Sequence, residues 1–119
     1  MTAESQEQIP MAVIRTITIP PGENTGWHYH PALVQAVVLS GTLTRVLQDG
    51  TVEITRPGEP LVELPQQVHI GYNHGSEPLV ILANYQVAQG CPLAVPAPPP
   101  DVSAVPACRI GGAQRLSSA

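Results

Sequence analysis

Short runs of β-branched and aliphatic residues, each ended by a Gly, Pro or Asp-Gly turn, most limit how this 119-residue chain can fold. The runs lie at 11–19, 35–40, 42–47, 51–55, 61–64, 68–72 and 78–87, and a further short stretch at 28–30 ends at Pro31. Each run predicts a short strand, because proline cannot donate to a ladder and Asp-Gly favours a tight hairpin. No window of helical length shows the apolar spacing of an amphipathic helix. About eight strands at this regular spacing predict an all-β sandwich or barrel.

The distribution of proline divides the chain. Six of the 14 prolines fall within 92–106, and a segment so rich in proline cannot be a central strand. It could wrap over a barrel in extended form or remain loose as polyproline. We therefore predict a flexible leader at 1–8, one β-domain at 9–90 and a partly disordered Pro-rich extension at 91–119.

Composition excludes several classes of function. Charged residues are 12% of the chain and the net charge is −4, so the sequence offers no positively charged surface that would bind nucleic acid or an anionic membrane. The absence of Lys excludes Schiff-base chemistry. There is neither a secretory signal nor an apolar run long enough to span a bilayer, so we expect a cytoplasmic protein. With only Cys91 and Cys108, two free thiols are favoured over a disulfide that closes the tail or thiols that reach a partner subunit.

Three of the four histidines form a pattern. His28 and His30 alternate along one strand and therefore project from the same face, and His69 lies on an apolar strand further along. Gln35 would share an inward face with Val37 and Leu39. A lone His in an apolar strand is more often a satisfied core residue, and His-x-His also arises by chance. Burying several polar side chains together is costly without partners, and a metal ion would provide one.

These residues resemble the first motif of the cupin family. That motif usually runs Gly, five residues, His-x-His, three or four residues, Glu, six residues, Gly. Gly22, His28 and His30 match it, and the turn at Gly41 comes one residue early. Gln35 stands where the family usually has Glu.

The second cupin motif is matched less closely. It usually runs Gly, five residues, Pro-x-Gly, two residues, His, three residues, Asn. Gly58, Pro65, His69 and Asn73 occur in that order. Gln67 replaces the Gly, the interval from Gly58 to Pro65 is one residue longer, and His69 follows Pro65 one residue early.

The resemblance implies a double-stranded β-helix, the jelly-roll barrel of the cupins, around one divalent transition-metal ion. It implies His28, His30, His69 and Gln35 as the ligands. Iron is the first expectation, with manganese, nickel, zinc or copper as alternatives, since imidazole suits several of these metals. Because Gln is neutral, the ion would keep its full charge, which favours a small anionic substrate.

Three further residues are candidates for catalysis. His74 lies in a turn, where a surface position is favoured over a role as a pocket acid or base. Tyr85 could bind substrate, although packing is the favoured role. Glu63 could be an inward carboxylate near the metal, although a solvated charge at the edge is the favoured reading.

The leading functional hypothesis is a mononuclear dioxygenase or oxidoreductase that acts on a small enolisable or oxygen-rich molecule. The resemblance to cupin dioxygenases carries this choice. The alternatives are a metal-dependent isomerase, cyclase or lyase acting on a sugar-acid-like substrate, and a small-molecule-binding module without catalysis. A small aliphatic barrel would gain from covering its edges, so we also expect a homodimer.

Overall fold

The computed structural model describes residues 10–100, and this part of the chain contains β-strands and no helix. The strands are β1 (Pro10–Ile19), β2 (His28–Tyr29), β3 (Val34–Ser40), β4 (Leu43–Leu47), β5 (Val52–Thr55), β6 (Pro60–Glu63), β7 (His69–Tyr72), β8 (Leu79–Ala88) and β9 (Val95–Pro96). Within these residues there is accordingly no helix that could cross a membrane.

The strands form two antiparallel sheets. One sheet has the order β1-β8-β3-β6 and the other the order β5-β4-β7-β2-β9. Consecutive strands of the chain therefore often lie in opposite sheets, and the buried side chains of the two sheets pack against each other between the layers. The prediction of an all-β barrel is confirmed.

Strand β9 is an element that the sequence did not reveal. It lies in the Pro-rich segment and pairs with β2 at the edge of the second sheet, with Val95 opposite Tyr29 and Pro96 opposite His28. A proline is tolerated there because an edge strand leaves half of its backbone groups outside the ladder. Just before β9, Leu93 packs against the buried cluster that contains Val34. Leu93 and β9 thus hold part of the Pro-rich segment against the barrel.

The inward face of β3 differs from the prediction. Val34 and Val38 are buried, whereas Gln35 and Leu39 are exposed. The expectation that Gln35, Val37 and Leu39 face the interior is therefore wrong by one residue. The chain bends at Pro31 and Ala32, so the alternation of β2 does not continue into β3. Burial of the aliphatic Val34 and Val38 then sets the face that points inward.

The turn between β3 and β4 depends on Gly41. Its φ is +76°, and an added Cβ would lie 2.8 Å from the Cα of Leu79 on β8. Both the backbone conformation and the close approach require glycine. This turn places β4 across from β8, beside the buried cluster of Ile19, Val38, Leu43, Leu79 and Ile81.

Several sequence predictions fall outside the described residues. They are the leader at 1–8, Cys108 and the part of the extension after residue 100. Cys91 follows β8 and is half-buried.

Candidate metal centre

Three imidazoles converge between the sheets. His28 on β2 pairs directly with His69 on β7, and His30 follows two residues after His28 on the same side. The ring centroids are 4.3 to 5.2 Å apart, and the rings offer nitrogen atoms within 4.8 Å of one another. The structure thus brings together the three histidines that the sequence singled out.

Backbone carbonyls orient all three rings. Each Nδ1 lies within hydrogen-bonding distance of a carbonyl oxygen: Gly26 for His28 at 2.9 Å, Leu93 for His30 at 2.8 Å, and Gln67 for His69 at 2.9 Å. A carbonyl can only accept, so each Nδ1 must carry the proton. In the neutral imidazole, Nε2 then keeps its lone pair. Metal-binding histidines are commonly oriented by such an outer hydrogen bond.

Glu63, at the end of β6, reaches the same cluster. Its Oε1 lies 2.8 Å from Nε2 of His30 and its Oε2 lies 3.2 Å from Nε2 of His69. The Glu63 side chain is only 14% exposed. The favoured expectation of a solvated edge charge is therefore wrong, and the inward alternative is correct. Neither Nε2 has the alignment of a hydrogen bond, so both are buried without a hydrogen-bond partner in the described part of the chain.

A buried arginine stands behind the carboxylate. Arg45 on β4 is 4% exposed, and its Nη1 lies 3.4 Å from Oε2 of Glu63. Its Nη2 donates hydrogen bonds to Oε1 of Glu53 and to the carbonyl of Val62. Sequence reasoning missed Arg45, although a signal was present. Leu43, Arg45 and Leu47 alternate with Thr44 and Val46, which places the arginine on the apolar face.

Burial and neighbouring charges shift the pKa values of the cluster. Burial, and then the nearby His69, lower the pKa of His28 to about 4. Burial acts to raise the pKa of Glu63, but the contacts with His30 and His69 outweigh it and hold that pKa well below the ordinary value. For His30 burial acts to lower the pKa, and the Glu63 carboxylate raises it overall. At neutral pH the site thus contains an ionised carboxylate and a neutral His28.

Two of the predicted site residues lie away from the cluster. Gln35 is exposed on the outer face of β3, where it pairs with Val62 and Asn84. His74 is exposed in the turn after β7, and its ring stacks on Tyr72 at a centroid distance of 5.0 Å. The structure does not bring either side chain to the histidines.

Tyr85, on β8, borders the site. Its ring lies 5.6 Å from that of His30, and burial followed by the Glu63 charge raises the pKa of its hydroxyl. The histidines, Glu63, Arg45 and Tyr85 line a cavity of about 60 Å³. The remaining wall is largely aliphatic and includes Ile17, Ile19, Val34, Leu43, Leu61 and Ile81. Such a space holds a few water molecules or one small ligand.

These residues fit a divalent transition-metal ion. The buried Nε2 atoms of His30 and His69 lack hydrogen bonds, and a metal is the partner that imidazole lone pairs in this tautomer can bind. Together with the nitrogen of His28 they supply three neutral donors beside one carboxylate. Iron, zinc, nickel and copper all accept imidazole ligands.

Solved structures share this architecture. A conserved double-stranded β-helix protein from Klebsiella pneumoniae is 26% identical, with a TM-score of 0.63 over 76% of this chain and 74% of the other. The polyketide cyclase RemF from Streptomyces resistomycificus is 22% identical, with a TM-score of 0.61 over 72% of this chain and 60% of the other. An oxalate oxidase is 19% identical, with a TM-score of 0.63 over 72% of this chain and 46% of the other. Because the cyclase and the oxidase are only 22% and 19% identical to this chain, their similarity shows that the three proteins share a fold.

The sequence itself matches a family described as the cupin domain over residues 15–85. No curated protein sequence matches the chain. The matched residues include β2 to β7 and all three clustered histidines. This 119-residue chain therefore belongs to the cupin domain family.

Proposed function

We propose that this cupin is a mononuclear metal-dependent enzyme, and that it uses dioxygen to cleave or oxidise a small enolisable or oxygen-rich substrate. One observation carries the metal-dependent part of the proposal. His28, His30 and His69 meet in one cavity, and a backbone carbonyl faces Nδ1 of each ring. Three rings whose Nδ1 atoms are engaged in this way would keep Nε2 for a metal ion, which His28, His30 and His69 would hold together.

A bound divalent metal, iron first, would supply Lewis acidity and a redox couple for dioxygen. The three histidines would hold it, and their neutral rings leave its charge to be balanced by carboxylates. The aliphatic walls exclude bulk water and strengthen the electrostatic interactions inside. Tyr85 keeps its proton at neutral pH because burial and Glu63 raise its pKa, so its O–H can donate to a substrate oxygen.

The size of the cavity limits the substrate. A space of about 60 Å³ admits a small molecule, or the reactive end of a longer one, rather than a polymer segment. Arg45 lines this cavity, and its Nε and Nη1 make no hydrogen bonds within residues 10–100. Nη1 still lies 3.4 Å from Oε2 of Glu63, whereas Nε has no partner, and a cation placed beside a metal in this way favours a substrate with a negatively charged oxygen.

A second candidate keeps the metal and omits dioxygen: an isomerase, cyclase or lyase that works through enolisation. The observation in its favour is Glu63, a carboxylate inside the cavity whose lowered pKa keeps it ionised at neutral pH. A carboxylate at this place could accept a proton from carbon next to a carbonyl. The fold shared with a polyketide cyclase agrees with this candidate.

Oxygen uptake by the metal-loaded protein separates the candidates. The purified chain is loaded with Fe(II), Mn(II), Ni(II), Zn(II) or Cu(II) and supplied with diketone, phenolic, thiol or sugar-acid substrates. The proposal expects uptake that needs both metal and substrate and that His69→Ala abolishes. Conversion that continues without oxygen would replace it with the second candidate. A chain that binds metal and small molecules but converts none of them would be a binding module, and a chain that binds no metal would overturn both enzymatic proposals.

A further inference from the structure

The inward position after His-x-His is occupied by a valine. In the cupin motif three or four residues separate the second His from the acid, so the two corresponding positions here are Val34 and Gln35. Val34 is 2% exposed and lines the cavity, whereas Gln35 faces outward. The strand that carries the usual acid thus offers no oxygen to the cavity at either position.

The neighbouring strand supplies the oxygen instead. Glu63 on β6 pairs with Val34 in the register of the first sheet, and both residues line the cavity. The next pair along, Gln35 with Val62, faces outward, and both of its members are exposed. A carboxylate therefore occupies the site one strand away from its usual place.

The distances from Glu63 to the histidines are those of donors that share an ion. Two donors bound at about 2.0–2.2 Å lie roughly 2.8–3.5 Å apart when the angle between them is right to tetrahedral. The observed separations are 2.8 Å to Nε2 of His30 and 3.2 Å to Nε2 of His69. Neither contact has the geometry of a hydrogen bond, so both Nε2 atoms remain available to a shared ion.

Arg45 fixes the carboxylate. Arg45 is only 4% exposed, and its Nη1 contacts Oε2 of Glu63. The other terminal nitrogen, Nη2, donates hydrogen bonds to Glu53 and to the Val62 carbonyl. A buried guanidinium needs such partners, because an unpaired charge in the core is costly. The β6 backbone and the Glu63 side chain are thereby tied to the same arginine.

We propose that Glu63 is the fourth protein ligand of the ion held by His28, His30 and His69, and that Arg45 is the residue that positions it. The inference rests on the metal site proposed above. It changes the charge of that site, because three neutral imidazoles and one carboxylate leave a divalent ion with a net charge of +1 rather than +2. Gln35 then has no role in metal binding.

Cobalt(II) is the probe, because its visible spectrum reports the ligand set and a competing chelator gives its affinity. Glu63→Gln should weaken Co(II) binding roughly 100-fold or more and shift the spectrum, and Gln35→Ala should change neither. Arg45→Met should weaken binding about tenfold, and Arg45→Lys should recover part of that loss and the original spectrum. Circular dichroism of the metal-free variants checks that each is folded.

Glu63→Cys keeps the proposal testable where Glu63→Gln fails to fold. A thiolate retains the negative charge beside Arg45, and a sulfur bound to Co(II) gives an intense near-ultraviolet charge-transfer band. The band should appear in Glu63→Cys and be absent in the matched Gln35→Cys. Wild-type protein that binds no Co(II) would refute the metal site itself. Tight wild-type binding with an affinity that is unchanged in a folded Glu63→Gln or Glu63→Cys variant would overturn the role of Glu63 alone.

Discussion

Oε1 of Glu63 lies 2.8 Å from Nε2 of His30, and this contact joins the two sheets inside the barrel. Glu63 ends β6 in the first sheet, whereas His30 follows β2 in the second. Arg45 on β4 adds a second connection from Glu63 to the same opposite sheet. The groups proposed to bind metal therefore also contribute to packing, so substitutions here are expected to change both stability and metal affinity.

Loss of the buried carboxylate should destabilise the metal-free protein. Glu63→Leu leaves Arg45 buried with Glu53 as its remaining carboxylate, and breaking a buried pair costs about 3–5 kcal/mol. Glu53→Gln is the matched control, because Glu53 is 45% exposed and its loss should cost about 1 kcal/mol or less. Urea denaturation measures both. The double variant Glu63→Leu/Arg45→Leu should recover much of the loss, and equal costs for the two single variants would contradict the assignment.

The segment after β8 should support metal binding. The carbonyl of Leu93 faces Nδ1 of His30 at 2.8 Å, so a chain ending at Gly90 loses the group that orients this ring. Loss of such a partner lowers metal affinity about 10–100-fold. A chain ending at Pro100 retains Leu93 and β9 and serves as the control. Calorimetric titration with Zn(II) compares the two chains, and equal affinities would show that the Leu93 carbonyl is dispensable.

Gly41 should be the more sensitive of two turn glycines. Gly41 and Gly50 both have positive φ, at +76° and +91°. Gly50→Ala meets no atom within 4 Å and should cost about 1–3 kcal/mol through backbone strain. Gly41→Ala adds a 2.8 Å contact with the Leu79 backbone, so it should cost several kcal/mol. Thermal unfolding ranks the two variants, and a smaller loss for Gly41→Ala would contradict the close approach of β8.

Tyr85 and His74 should differ in their effects on turnover. Tyr85→Phe keeps the ring in its buried place and removes the hydroxyl donor, so kcat should fall about 10–100-fold while Co(II) affinity stays unchanged. His74→Ala should alter neither quantity, because His74 is exposed and stacks on Tyr72 outside the cavity. Steady-state kinetics on a substrate found by oxygen uptake tests both variants. A loss of kcat in His74→Ala would place that residue back in the mechanism.

The sequence predicted the strands and the three histidines because both depend on local rules. Turn residues end each strand, and alternation places His28 and His30 on one face. Gln35 was misassigned because the bend at Pro31 breaks that alternation, and either face of 34–40 carries aliphatic residues. The alternation of side chains along the strand therefore did not determine which face of β3 points inward.

Glu63 and Arg45 could not be predicted as a pair because their contact is long-range. A charged residue in a strand is ordinarily solvated. The free-energy cost of burying Glu63 or Arg45 is offset only when its partner from the opposite sheet is present. The alternation of Leu43, Arg45 and Leu47 was a usable signal for one member. The metal ligand set, the homodimer and the cytoplasmic location stay predictions.

The tautomers of the three histidines test the central claim most directly. Long-range ¹H–¹⁵N correlation spectra of the metal-free protein at neutral pH distinguish Nδ1 from Nε2 protonation in each ring. The structure predicts a proton on Nδ1 of His28, His30 and His69, and a shift of all three Nε2 resonances as one equivalent of Zn(II) is added. His74 serves as the internal control and should not shift. Nε2-protonated neutral rings that Zn(II) leaves unchanged would contradict a metal centre at this site.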